Sequence, residues 1–181
     1  STEVIVKGYG IIVDECLLRA CATGFNTTAD KNLDPNTGST KLATTVAMTD
    51  NWMIVGAYDA KKAFIFKNDG GTWGTTAAFT LDQNTGSSVF GWSVAINNNW
   101  AFVGARYANK AFIFKNDGGI WDTTAAFALD QNTGDYNFGQ DVAFTDNWAI
   151  VGTYAKKAYI FKNDGGTWDT TAAFALDKNT G

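Results

Sequence analysis

The chain repeats itself. Asn51-Trp52, Asn99-Trp100 and Asn147-Trp148 recur at a spacing of about 48 residues. Lys67-Asn68-Asp69-Gly70-Gly71 returns at 115–119 and 162–166, and Asn-Thr-Gly falls at 36–38, 84–86, 132–134 and 179–181. A period of this length marks an architecture whose units cannot bury their apolar surface alone and must stack on their neighbours. The periodicity divides the 181 residues into a diverged first repeat, 1–38, and repeats at 39–86, 87–134 and 135–181. The first is tied to the others by Phe25-Asn26-Thr27-Thr28-Ala29, which aligns with Trp121-Asp122-Thr123-Thr124-Ala125. Residues 7–24 have lost the pattern.

Within a repeat the spacing predicts four strands. In the third these are A (93–96), B (101–105), C (111–115) and D (124–129), with Asn116-Asp117-Gly118-Gly119 as the C–D hairpin. Side chains alternate across a strand, so Phe112 and Phe114 face one way and Ala111 and Ile113 the other. Both faces are apolar, which predicts small sheets covered on both sides. We therefore expect an all-β fold, a β-propeller of four-stranded blades, with about four blades in this chain and room to be part of a larger ring or assembly. Trp52, Trp100, Trp148 and the strand C phenylalanines are expected in the core.

Composition narrows the partners. The net charge is -4, with no basic stripe to neutralise phosphates, so nucleic acid is not expected. No apolar run is long enough to suggest membrane insertion. Cys16 and Cys21 would point to opposite faces of one strand, so a disulfide between them needs a bend, and cysteine usage does not fix the compartment. Asn26-Thr27-Thr28 is a formal glycosylation acceptor.

Phe90-Gly91-Trp92-Ser93-Val94-Ala95, followed by Val103-Gly104-Ala105, resembles an FG-GAP repeat. The order returns as Phe138-Gly139 then Val151-Gly152-Thr153, while the second repeat has Leu42-Ala43 before Val55-Gly56-Ala57. The family includes the ring domain of integrin α chains and many bacterial surface proteins. The resemblance implies a propeller, extracellular or at the cell surface, used for adhesion or ligand binding. Many members carry an Asp-rich calcium loop between strands A and B. Here that loop is Thr49-Asp50-Asn51, Asn97-Asn98-Asn99 or Thr145-Asp146-Asn147, too poor in carboxylates for the six to eight oxygens calcium takes, so no metal or cofactor is expected.

The chain has no histidine, which removes the commonest general base and every Ser-His-Asp or Cys-His arrangement. Asp82, Asp130 and Asp177 recur once per repeat and read as turn formers bonding their own backbone, not as a catalytic pair. On these grounds the chain is expected to bind or assemble, and not to act as an enzyme.

Strands that alternate in direction put the B–C and D–A connections on one face. That face carries Tyr58, Tyr107 and Tyr154, just after the Gly-Ala or Gly-Thr step, with Asp59, Arg106, Lys110, Asn132 and Lys156 around them. Tyrosine combines an apolar ring with a polar tip and suits both sugars and protein interfaces. These eight residues form the candidate ligand site. The competing reading packs the tyrosines against neighbouring blades, and Lys61-Lys62 and Lys156-Lys157 read as solvated turns.

The repeat count starts inside strand B of the first unit, and an unfinished array exposes an apolar blade face that seeks a partner. Two functions are expected: a binding or adhesion module for a protein or carbohydrate, or a structural subunit whose open blade ends join copies, as a homo-oligomer, into a ring or filament.

Overall fold

The structure, a computed structural model, describes residues 5–7, 10–12, 43–83, 89–130, 136–154 and 156–177. The chain forms two units, Ser1–Leu33 and Asp34–Gly181. In the first, β1 (Ile5–Lys7) and β2 (Gly10–Ile12) pair antiparallel. Cys16, Cys21, the glycosylation acceptor and most of the pattern-free 7–24 segment lie outside the described residues.

Among the described residues the second unit holds three antiparallel sheets. The first contains β3 (Thr45–Met48), β4 (Trp52–Ala57), β5 (Lys62–Asp69), β6 (Thr72–Trp73) and β7 (Phe79–Leu81). The second contains β8 (Phe90–Ile96), β9 (Trp100–Ala105), β10 (Lys110–Asp117), β11 (Ile120–Trp121) and β12 (Phe127–Asp130). The third contains β13 (Asp141–Phe144), β14 (Trp148–Gly152), β15 (Lys157–Asp164), β16 (Thr167–Trp168) and β17 (Phe174–Asp177). Each is a meander whose last strand is broken in two. In the second sheet β11 pairs with the end of β10 at Asn116 and Asp117, and β12 pairs with its start, Lys110 to Ile113. The expected strand D thus begins at Phe127 instead of Thr124, because the Asp-Thr-Thr-Ala segment leaves the ladder between the two halves. Strand A begins earlier than expected, at Phe90, and carries a bulge before Ser93.

The hairpin forms as its sequence requires. Gly118 and Gly119 hold φ of 61° and 96°, the left-handed pair of a tight two-residue turn. Asn116 locks it: its Oδ1 accepts from Gly119 N–H at 2.9 Å, and its Nδ2 donates to the Asn98 carbonyl in the A–B loop at 2.8 Å. Asn68 and Asn163 make the same two bonds in the other sheets.

Side-chain parity places the core between sheets. One cluster joins Trp52, Ile54, Ile65 and Leu81 of the first sheet to Phe90, Val103, Phe112 and Phe114 of the second. The next joins Trp100, Phe102, Ile113 and Leu129 to Val151, Tyr159 and Phe161 of the third and to Phe138 in the turn before it. Ile113 and Phe112 therefore serve opposite neighbours, as their alternation dictates. One expectation fails. Trp52 and Trp100 are 5% and 6% exposed, but Trp148 is 42% exposed, since no sheet among the described residues covers its face.

The sheets meet through glycine. Gly91 and Gly139 hold φ of 87° and 86°, and a Cβ on either would fall on the carbonyl of Lys62 or Lys110 in the preceding sheet. A Cβ on Gly56 or Gly104 would in turn strike the carbonyl of Gly91 or Gly139. Both glycines of the Phe-Gly and Val-Gly-Ala segments are thus needed for close backbone approach between neighbouring sheets. In the first sheet Ala43 stands where the others have glycine, yet holds φ of 60°. We predict that Ala43→Gly raises unfolding stability by about 0.5–1 kcal/mol, through relief of the left-handed penalty. Gly91→Ala lowers it by about 3 kcal/mol or more through overpacking and strain. Urea titrations of the two variants check the opposite signs.

Candidate functional site

The face bearing the B–C connections is built by two devices. The bulge between Phe90 and Ser93 re-aims the strand, so that Trp92 leaves the buried ladder and is half-exposed. The β9–β10 connection folds into a single 3-10 turn, Arg106–Ala108, closed by Asn109 at φ 53°. In the other two connections Lys61 and Lys156 occupy the same left-handed position, at φ of 55° and 65°.

These devices bring four side chains into one row. The Tyr58 ring lies 4.9 Å from that of Trp92, tilted by 49°. The Arg106 guanidinium carbon sits 3.3 Å from the centre of the Trp92 ring and 4.5 Å from that of Tyr107. Arg106 also donates to the Tyr107 hydroxyl at 2.8 Å and to Gln140 Oε1 at 3.4 Å. Its Nε is buried without a hydrogen-bond partner. Thr44, Tyr58 and Trp92 line a cleft of about 150 Å³ beside the row. Tyr107 is 58% exposed at the outer end. A flat cation held between two aromatic faces is an ordered, partly desolvated surface with spare donor capacity.

The remaining expected site residues are not all part of this row. Asp59 is exposed in the turn beside Tyr58. Lys110 pairs with Asp130 at 3.6 Å, across the ladder from it. Tyr154 and Lys156 are exposed on the third sheet, and Asn132 lies outside the described residues. The three tyrosines are also not equivalent. Tyr58, Arg106 and Tyr154 each follow the Gly-Ala or Gly-Thr step directly, while Tyr107 is one residue further on. Tyr58 packs against the neighbouring sheet, as the competing reading held, while Tyr107 and Tyr154 remain in solvent.

Sequence reasoning missed Trp92 and Gln140. The signal was present: Thr44, Trp92 and Gln140 differ at one repeat position, two residues before a Val-Ala step that recurs in all three repeats. The opposite face offers less. Its A–B loops are tied internally, with Asn97 accepting from the Trp100 N–H at 2.7 Å and donating to Asp146 at 2.7 Å. Among the described residues no three acidic or cysteine side chains gather as a metal site.

No family model and no curated protein matches this chain. Solved structures do. A putative 6-phosphogluconolactonase from Bacteroides uniformis matches 75% of this chain and 42% of its own, at 14% identity and TM-score 0.55. Sqt1 from Saccharomyces cerevisiae matches over 77% and 36%, at 11% identity and TM-score 0.54. BamB from Moraxella catarrhalis matches over 74% and 36%, at 12% identity and TM-score 0.50. The fold is all-β and propeller-like. The chain spans well under half the length of these proteins. One expectation is corrected here. A protein of similar fold carries an enzyme's name, so the conclusion that this chain does not catalyse is withdrawn. Missing histidine excludes particular machinery and not catalysis itself, and at such identity the likeness shows the fold alone.

Arg106→Lys should lower stability by about 0.5–1 kcal/mol, because an ammonium cannot stack between Trp92 and Tyr107 as a guanidinium does. Thermal unfolding of the variant beside Lys110→Arg, which keeps its ion pair, checks that the loss is specific to the stack.

Proposed function

We propose that this chain is a binding or adhesion module, extracellular or at the cell surface, that holds a carbohydrate or protein ligand on the face bearing Tyr58, Trp92, Arg106 and Tyr107. The observation that carries the reading is the stacked row itself. It combines the exposed Tyr107 ring and the half-exposed Trp92 and Tyr58 rings with a guanidinium fixed between Trp92 and Tyr107. Rings of this kind stack on the apolar faces of sugars or anchor protein contacts, and the guanidinium supplies directional donors. The FG-GAP-like segments support the setting, since that family's propellers work in adhesion outside the cell. We take the three sheets as three blades and residues 1–38 as a diverged fourth.

An oligosaccharide array and a panel of immobilised extracellular proteins test the reading. Binding to one defined ligand is expected, weakened about tenfold or more by Trp92→Ala or Tyr107→Ala, which is the scale of one lost hot-spot contact. Lys67→Ala, on the opposite face, should leave it unchanged. Silence on both panels would sink the reading, as would a ligand whose affinity ignores Trp92 and Tyr107.

A further inference from the structure

Charge divides the described part of the second unit into two unlike ends. Six of its nine lysine and arginine residues, Lys61, Lys62, Arg106, Lys110, Lys156 and Lys157, stand in or beside the B–C connections. Five aspartates share that end, among them Asp130, which pairs with Lys110. The end that carries the A–B loops and the glycine hairpins has seven aspartates and three lysines. An anion is therefore repelled from one end and tolerated at the other.

Within the tolerant end Arg106 has a distinct setting. Lys110 meets a carboxylate, but among the described residues Arg106 meets none. Its hydrogen-bond partners are neutral, the Tyr107 hydroxyl at 2.8 Å and Gln140 Oε1 at 3.4 Å. The Trp92 and Tyr107 rings lie over the guanidinium and leave hydrogen bonding to its edges. A guanidinium has five N–H donors. Tyr107 and Gln140 take two and the Nε donor is buried, which leaves one N–H on each terminal nitrogen. A carboxylate accepts two such donors at once. The Tyr107 hydroxyl, which accepts from Arg106, keeps its own proton to donate beside them.

A carboxylate does not account for the whole row. Thr44, Tyr58 and Trp92 line a cleft of about 150 Å³, on the same indole that Arg106 stacks against. Aromatic walls with one hydroxyl suit a ring that has apolar C–H faces and polar edges, which is the surface of a sugar. The aspartate or glutamate of a peptide brings the carboxylate and no ring for the cleft.

We propose that the ligand of this row is an acidic polysaccharide, with the carboxylate of one hexuronate unit held by Arg106 and Tyr107 and the sugar chain running into the Thr44, Tyr58 and Trp92 cleft. The inference rests on the binding reading above and narrows it from carbohydrate or protein to one class.

Equilibrium binding of the full chain to oligomers of galacturonate, glucuronate and mannuronate tests it. Each is measured beside its carboxyl-reduced neutral counterpart, and a polyglutamate peptide is measured with them. At least one uronate should bind about tenfold or more tighter than its neutral counterpart, the scale of one charge-assisted contact. Arg106→Gln should remove that margin and leave binding of the neutral oligomer as it was. A variant that merely damaged the row would lose both alike. Tyr107→Phe, which deletes a single hydroxyl on an exposed ring, should cut the margin about threefold. Lys115→Gln, at the opposite end, should leave it intact.

Equal binding of acidic and neutral oligomers overturns the inference and leaves the binding reading standing. A ligand found only among the immobilised proteins does the same. Polyglutamate bound as tightly as the uronates overturns it too, because charge alone is then being read. So does a margin that survives Arg106→Gln. Silence from every sugar, peptide and protein sinks the inference and the binding reading together.

Discussion

Backbone-to-backbone approach between consecutive sheets is the constraint on which the rest depends. A short meander with two apolar faces is unstable alone, and its faces must meet others closely enough to exclude water. Here the approach is set by glycine against carbonyl: Gly56 under Gly91, and Gly104 under Gly139. With that spacing fixed, Trp52 reaches Trp121 and Trp100 reaches Trp168 in edge-to-face contacts at 5.7 and 6.0 Å. The aromatic core follows from the glycines and not the other way round, because a side chain at either glycine would push the faces apart and open voids that no rotamer fills.

The polar residues of the repeat divide by task. Those that recur are structural. Asn68, Asn116 and Asn163 each close a hairpin and tie it to the A–B loop, and Thr49, Asn97 and Thr145 cap their own loops. Each satisfies backbone groups that the end of a ladder leaves unpaired. Residues that break the repeat are those free to specialise. Trp92 and Arg106 have no copies in the other units, and their stacking across the border of two sheets makes one junction unlike the next. At the corresponding place in the third sheet Tyr154 stands in solvent, 76% exposed.

The amino-acid order alone determined the all-β character, the paired glycine hairpin, the side-chain parity of the strands and the face that collects Tyr58, Arg106 and Tyr107. All of these are local: period two fixes parity, positive φ fixes the turn, and strand alternation fixes which loops share an end. Contacts between sheets were decided by the tertiary structure. It showed that Trp92, set outward by a bulge, is the centre of the row, that Tyr58 packs on it while Tyr107 does not, and that Asp130 meets Lys110. It also separated Trp148 from Trp52 and Trp100, although the three occupy one repeat position. The physical reason is that burial belongs to a neighbour as much as to a residue: the sequence names the side chain, and only the packed sheets say whether anything covers it.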